Sequence, residues 1–172
     1  NIKGDGLKIG EPWTRDARLA EAAEGPLRRT AELAGIAGAG LVVVAGSTHE
    51  PEEGWVTRAV AEGAPGARLA LVPRHPGPAR EIQSGLPEVQ LWTAVVAGLE
   101  TADPTRPLLV DTIGELEQFY ALADLVFVGG SLIPHGGQNM LEPAGLGRPV
   151  VFGPHVDNFL HEAELLRRHG AS

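Results

Sequence analysis

The chain has 172 residues, of which 43% are hydrophobic, and a formal net charge of -8. This length and composition favour one folded domain over disorder, and the negative charge argues against a general nucleic-acid-binding or polybasic membrane surface. The absence of cysteine excludes disulfides and thiolate zinc sites, and no apolar run approaches the roughly 20 residues that cross a bilayer.

The first fourteen residues mix glycine, proline and charge without periodicity, which predicts a linker or lead-in over residues 1–14. Because the chain begins with Asn1 and not with methionine, we expect a piece of a longer protein. Residues 15–35 carry Ala, Leu, Glu and Arg at helical spacing. This spacing predicts one or two helices broken near Gly25. We predict that residues 15–172 form one domain.

Short apolar runs rich in Val or Leu follow, and most lack the alternation of a half-buried strand. They span residues 41–45, 68–72, 89–92, 108–110, 125–128 and 149–152. Such runs are typical of strands buried on both faces. Helices are predicted between most of them, at about residues 52–63, 78–84, 114–123, 138–146 and 156–169. This alternation predicts an α/β domain with a doubly wound parallel sheet, whose ligands bind at the carboxyl ends of the strands.

Glycine pairs mark the end of the fifth predicted strand. Gly129 and Gly130 come directly after it, and a second pair ends at Gly137, before the helix that carries Glu142. Glycine lets a backbone approach a ligand closely, and a helix N-terminus offers unpaired N–H groups to a phosphate. A carboxylate at Glu142 could accept two ribose hydroxyls. The pairs could equally be turn residues, and Glu142 could only stabilise the helix dipole.

Two further strand ends carry polar residues. Arg74 lies between Pro73 and His75, where its guanidinium could pair with a phosphate or carboxylate or simply remain on the surface. Thr112 and Glu115 match the capping box of a helix N-terminus, which predicts a structural role for both side chains.

The segment after the first strand is predicted to begin a helix that Ser47 or Thr48 caps. The first turn is rich in glutamate, with Glu50, Glu52 and Glu53. Since these carboxylates would repel a phosphate, we place the phosphate elsewhere, and His49 is placed to contact a sugar.

Histidines occur in several loops at the predicted ligand edge, namely His49, His75, His135 and His155. No metal-binding spacing such as HExxH links them, so we predict no metal site.

Several segments, in order, resemble the carboxy-terminal domain of 3-deoxy-D-manno-octulosonic acid (Kdo) transferases, which are GT-B glycosyltransferases. They are Gly46-Ser-Thr-His-Glu-Pro-Glu-Glu53, Val72-Pro-Arg-His-Pro76, Asp111-Thr-Ile-Gly-Glu-Leu116, Phe127-Val-Gly-Gly-Ser-Leu132, Gly136-Gly-Gln-Asn-Met-Leu-Glu-Pro-Ala144 and Phe152-Gly-Pro-His155 with Asn158-Phe159. The resemblance covers roughly residues 42–170. It departs from the family pattern at Gln138, where a histidine is usual.

The resemblance implies that this half of a GT-B fold binds the donor substrate CMP-Kdo, with no cofactor and no metal. Arg74 would meet a donor phosphate or carboxylate. Ile113, Gly114 and Glu115 would line the cytidine and phosphate site, whereas Gly130, Asn139 and Glu142 would hold phosphate and ribose. The other implied donor-site residues are Ser47, Thr48, His49, His75, Ser131 and Gly137.

The resemblance further implies that the intact protein transfers Kdo, with inversion, to a lipid A precursor on the cytoplasmic side of the inner membrane. The catalytic base, the acceptor site and any membrane contact would belong to an amino-terminal domain outside this chain. We therefore expect a soluble fragment with no catalytic residue, which binds no nucleic acid.

Two other interpretations remain open. A GT-B relative or an epimerase could use another nucleotide sugar, such as a UDP-sugar. Alternatively, a non-catalytic nucleotide-binding module could share the Rossmann-like sheet.

Overall fold

The computed structural model describes residues 19–20, 25–75, 77 and 79–170. Within these ranges the strands are β1 (Val42–Thr48), β2 (Arg68–Pro73), β3 (Gln90–Leu91), β4 (Leu108–Leu109), β5 (Leu125–Val128) and β6 (Val150–Phe152). The helices are α1 (Pro26–Leu33), α2 (Glu52–Gly63), α3 (Ala79–Gly85), α4 (Trp92–Val96), α5 (Leu116–Leu122), α6 (Leu141–Gly145) and α7 (Leu160–Arg168), with a 3₁₀ turn at Asp157–Phe159. The lead-in predicted over residues 1–14 lies outside the described residues.

The strands form one parallel sheet in the order β3-β4-β2-β1-β5-β6. The predicted doubly wound parallel α/β fold is therefore confirmed. β1 lies at the centre, where Val43 pairs with Leu125 of β5 and with Leu69 of β2. After β1 the chain first adds strands on one side, where β2, β4 and β3 follow one another outward, and then adds β5 and β6 on the other side. This reversal creates a crevice at the carboxyl ends of β1 and β5, where ligands of such sheets bind.

The two faces of the sheet bury separate apolar clusters, because neighbouring residues of each strand point to opposite faces. Val42 and Val44 pack with Phe119 of α5 on one face. Val43 and Ala45 pack with Val56 of α2 on the other face. Continuous burial along β1 explains why its sequence shows no alternation.

Arg68, the first residue of β2, bonds the strand to neighbouring segments. Its side chain is fully buried, and its Nε donates to the Ala34 carbonyl at 2.8 Å. Its Nη1 donates to the carbonyl oxygens of Asp103, at 2.9 Å, and of Arg106. Burial lowers the pKa of the guanidinium to about 10. One side chain thus joins the end of α1 to the irregular segment before β4.

The strand predicted over 89–92 is partly wrong, because Trp92 begins α4. The Asp111 carboxylate accepts hydrogen bonds from the Thr93 N–H at 2.9 Å and from the Thr93 hydroxyl at 2.6 Å. The Trp92 ring packs edge-on against Phe119, with centroids 5.6 Å apart. These contacts come from segments distant in the sequence, so they favour a helix that the local pattern does not predict.

Other predicted boundaries shift by a few residues. The helix predicted over 114–123 begins at Leu116, and that predicted over 138–146 spans Leu141–Gly145. The helix predicted over 156–169 is a 3₁₀ turn followed by α7. No helix among the described residues is long and apolar enough to cross a membrane.

Candidate functional site

A cleft of about 540 Å³ opens between α5 and α6 at the carboxyl edge of the sheet. Its walls are formed by Gly114, Leu116, Glu117, Tyr120, Glu142, Gly145 and Leu146. The cleft thus brings together Gly114, which precedes α5, and Glu142 of α6, which the sequence analysis placed in one site. Their contact with a ligand stays a prediction.

The carboxylate of Glu142 is oriented by Asn139, three residues earlier in the sequence. The Asn139 amide Nδ2 donates to Glu142 Oε1 at 3.0 Å, and the Leu141 N–H donates to Asn139 Oδ1 at 3.1 Å. Asn139 therefore bonds both to the first residue of α6 and to the acidic side chain. The second glycine pair does not lead directly into this helix as predicted, because residues 138–140 intervene in an irregular conformation.

The predicted capping box at Thr112 and Glu115 is wrong. The Thr112 hydroxyl donates to the Glu115 carboxylate at 2.7 Å, and α5 has no side-chain cap. Between them, Ile113 is 85% exposed and Gly114 has a φ of 102°. The segment therefore presents an exposed apolar side chain next to a glycine with positive φ that lines the cleft.

Tyr120 forms the floor of the cleft and had no assigned role in the sequence analysis. A Cβ atom on Gly46 would lie 2.2 Å from the Tyr120 hydroxyl oxygen, so only glycine fits there. The hydroxyls of Tyr120 and Ser47 share a hydrogen bond, and burial followed by the nearby Glu142 charge raises the pKa of Tyr120. Ser47 has a φ of 54°, and the β1–β2 register shifts beside it. Tyr120 thus supports an unusual bend at the end of β1.

Glu52 occupies the crevice between β1 and β5. It is fully buried, and its Oε2 accepts the N–H groups of His49 at 3.0 Å and Gly130 at 2.7 Å. Its Oε1 accepts the N–H groups of Ser131 at 3.0 Å and Leu132 at 2.9 Å. We call the three N–H groups of Gly130, Ser131 and Leu132 the glycine-loop nest.

The implied contact of Gly130 with a phosphate stays a prediction, but its N–H group is already bonded within the protein. The N–H groups of Gly130 and Ser131 are bonded to Glu52, and the Gly137 N–H donates to the Gly130 carbonyl at 2.7 Å. The acceptor of both groups is the protein's own carboxylate. The expected repulsion of a phosphate by Glu52 stays a prediction.

The predicted cap of α2 is also wrong, since the helix begins after Pro51 without a side-chain cap. Thr48 is 1% exposed at the end of β1. It borders a second cleft with Glu53 and His75, on the other side of His49. Burial raises the pKa of Glu53.

Two of the other three histidines predicted at the ligand edge lie beside His49. Its ring lies against that of His135, with centroids 4.1 Å apart, and edge-on to His75 at 6.3 Å. Its Nε2 is 3.2 Å from Nε2 of Gln138. Burial, followed by the neighbouring His135, lowers the pKa of His49. The described residues include no group of three or more metal-ligating side chains arranged to hold an ion.

Arg74 lies at the end of β2 with an exposed side chain, and its N–H donates to the Thr48 carbonyl at 3.0 Å. Its charge is close enough to contribute to the lowered pKa of His49. The structure thus places Arg74 at the correct edge, and its contact with a phosphate stays a prediction.

Glu52 and Tyr120 are the residues whose roles the sequence analysis missed. Tyr120 is the only tyrosine in the chain, and its place among apolar residues of a helix was an available signal. Glu52 gave no such signal, since three of its four partners lie 78 to 80 positions away.

No protein-family profile matches this chain. Its sequence is 37% identical over 120 residues to the 3-deoxy-D-manno-octulosonic acid transferase of Haemophilus influenzae, covering 67% of this chain and 28% of that protein. It is 35% identical over 132 residues to the enzyme of the same name from Chlamydophila psittaci, covering 76% of this chain and 30% of that protein. The chain thus spans less than a third of the length of these relatives.

Among solved structures, the chain is similar to the C-terminal CMP-Kdo binding domain of WaaA from Acinetobacter baumannii. The two share 30% sequence identity and a TM-score of 0.69, over 90% of this chain and 80% of that domain. With sequence and structure in agreement, the chain belongs to the 3-deoxy-D-manno-octulosonic acid transferase family.

Proposed function

We propose that this chain is the donor-binding domain of a Kdo transferase and that it binds CMP-Kdo. The observation that carries the proposal is the similarity over 90% of the chain to a domain described as CMP-Kdo binding. The cleft between α5 and α6 supports it, because the side chains there suit a nucleoside.

In the proposed complex, Glu142 accepts hydrogen bonds from the ribose hydroxyls. A carboxylate has two acceptor oxygens, and the Asn139 amide already fixes the orientation of this one. The exposed Ile113 side chain and the backbone of Gly114 border the cytosine. These roles are proposals that rest on the cleft geometry and on the family.

Arg74 is proposed to pair with the phosphate or the sugar carboxylate. A guanidinium that pairs with the phosphate would stabilise the negative charge that collects on CMP as it leaves. In the whole protein, the acceptor hydroxyl of a lipid A precursor would attack the anomeric carbon of Kdo. A base from another domain would assist, and the configuration would invert. We place that protein on the cytoplasmic side of the inner membrane, with no metal or cofactor in the reaction.

Calorimetric titration of the chain with CMP, UDP and AMP tests the proposal. We expect selective binding of CMP. Arg74→Ala should weaken it by up to about 3 kcal/mol, as for the loss of a charge-assisted hydrogen bond. Glu142→Ala should also weaken it, and unchanged CMP affinity in that variant would contradict the ribose assignment.

A matched control for Arg74→Ala is Arg29→Ala, which removes an exposed arginine from α1. Its CMP affinity should equal that of the unmodified chain. Preference for UDP would instead favour a relative that uses another nucleotide sugar. Equal affinity for all three nucleotides would favour a non-catalytic nucleotide-binding module.

A further inference from the structure

The glycine-loop nest has the backbone arrangement of an anion site. Its three successive N–H groups follow β5 directly, and Gly130 has a left-handed φ of 66°. Successive N–H groups that converge in this way form concavities that hold phosphates in many nucleotide-binding proteins. Here the anion is the carboxylate of Glu52, which reaches the nest from the first turn of α2.

The nest is closed around this carboxylate. Glu52 and Ser131 are both fully buried. The Ser131 hydroxyl donates to the Val128 carbonyl at 2.6 Å and accepts the Gly153 N–H at 2.9 Å. Backbone from β5 and from the end of β6 therefore borders the nest, and Glu52 accepts all three of its N–H groups.

The nest adjoins the proposed nucleotide site. The Gly130 carbonyl accepts the Gly137 N–H, and a Cβ on Gly130 would lie 3.3 Å from the Gln138 side chain. Asn139, which orients Glu142, is the next residue. The nest is thus a set of backbone donors that lies beside the residues proposed to hold the ribose.

We infer that Glu52 determines the class of donor, because it fills the nest and so restricts the site to nucleotide sugars that have a single phosphate. A nucleoside diphosphate sugar brings a second phosphate, which at this nest would meet a buried carboxylate in place of N–H donors. The inference rests on the proposed function, since it takes the cleft of Gly114 and Glu142 as the nucleotide site.

The test compares the binding of CMP with that of CDP, which differs from CMP by one phosphate. The unmodified chain should bind CDP no more tightly than CMP. In Glu52→Ala the nest loses its internal anion, so the affinity for CDP relative to CMP should rise by about tenfold or more. Glu53→Ala is the matched control, because Glu53 is an adjacent glutamate that is 3% exposed and borders the other cleft. It should keep the original preference.

Inorganic phosphate gives a second readout that does not depend on the nucleotide site. A free phosphate ion can occupy the vacated nest, so it should raise the melting temperature of Glu52→Ala more than that of the unmodified chain. An equal response of the two proteins would argue that the N–H groups do not form an anion site.

The outcomes separate this inference from the proposed function. Failure of the unmodified chain to bind CMP would count against the proposed function itself. CMP binding together with tighter CDP binding, by about tenfold or more, would overturn the inference alone. Should Glu52→Ala fail to fold, the comparison of CMP with CDP on the unmodified chain decides the question.

Discussion

The glycine-loop nest after β5 and the cleft between α5 and α6 both lie at the carboxyl edge of the sheet, and both contain a glycine with positive φ. Gly130 is buried in the nest, and its N–H is bonded to Glu52. Gly114 is exposed at the mouth of the cleft, where a Cβ atom would meet nothing within 4 Å. The two regions have similar backbone chemistry. They differ in that the Glu52 carboxylate fills the nest, whereas no side chain among the described residues fills the cleft.

This difference shows that backbone donors at a strand end indicate a ligand site only when no internal group uses them. Glu52 satisfies the nest at the cost of burying a carboxylate, which is tolerable because backbone N–H groups compensate it. The open cleft has fewer fixed donors and instead offers Glu142, an acceptor. The first region is therefore a structural centre, and the second is suited to a ligand.

The strongest test of the comparison is Glu52→Gln. The amide nitrogen would face two of the N–H donors that now point at a carboxylate oxygen, leaving them without acceptors. We expect the free energy of unfolding to fall by about 3 to 5 kcal/mol, the range for breaking a buried charged network. Urea denaturation measures it. The exposed Glu50→Gln should change stability by less than about 0.5 kcal/mol, and a similarly small loss in Glu52→Gln would contradict the structural role of the nest.

The floor of the cleft is tested by Gly46→Ala. The added methyl group would overlap the Tyr120 hydroxyl. We expect a loss of about 1 to 3 kcal/mol in the free energy of unfolding, as for other overpacked cores. Gly54→Ala is the control, since nothing lies within 4 Å of its added methyl group and it lies inside α2. It should stabilise the protein by about 0.5 to 1 kcal/mol. Equal changes in the free energy of unfolding of the two variants would contradict the close packing of Tyr120 against Gly46.

Asn139→Ala tests whether the cleft between α5 and α6 binds the nucleotide. The variant removes the amide that orients Glu142. We expect CMP affinity to fall by about three- to tenfold, because Glu142 keeps its carboxylate but loses the group that orients it. Calorimetry measures it. Asn158→Ala, which alters an exposed asparagine beside His135, should bind CMP normally.

The smallest effect concerns His49, whose N–H group is bonded to Glu52. Burial and the adjacent His135 lower its pKa in the folded state, so the unfolded chain takes up a proton at higher pH. This contribution to stability is therefore constant above about pH 6.5 and falls as the pH drops below that value. Because His49 is partly exposed, the loss should stay under about 1 kcal/mol.

Denaturation at a series of pH values measures this effect, and His49→Gln should remove part of the pH dependence. His161→Gln is a suitable control, since His161 lies on α7, away from the cluster. An unchanged pH profile in His49→Gln would contradict the lowered pKa.

Local sequence signals predicted much of the fold. The bounds of α2 and β5 agree with the prediction, because an apolar run or a helical pattern bounded by glycine or proline is a local property. The one-turn helix α4 was missed, since a distant carboxylate, Asp111, begins it. The sequence also placed Gly114 and Glu142 at one edge, because strand ends converge in any parallel sheet.

Predictions from local sequence patterns failed where a side chain could bond to more than one partner. Thr112 and Glu115 satisfied the capping pattern but bonded to each other. Glu52 was interpreted as one of several acids in a helix's first turn, and only the adjacency of β1 and β5 reveals its partners. A charge that looks solvated in the sequence is thus the most enclosed group of the crevice.

The buried guanidinium of Arg68 affects how parts of the domain open locally. It binds the carbonyl oxygens of Asp103 and Arg106, in a segment without regular secondary structure, and that of Ala34 after α1. An irregular surface segment ordinarily opens by itself on short timescales. Here opening would expose a buried cation and release α1 and β2 together. Amide hydrogens near Asp103 should therefore exchange with deuterium almost as slowly as those of the central strands.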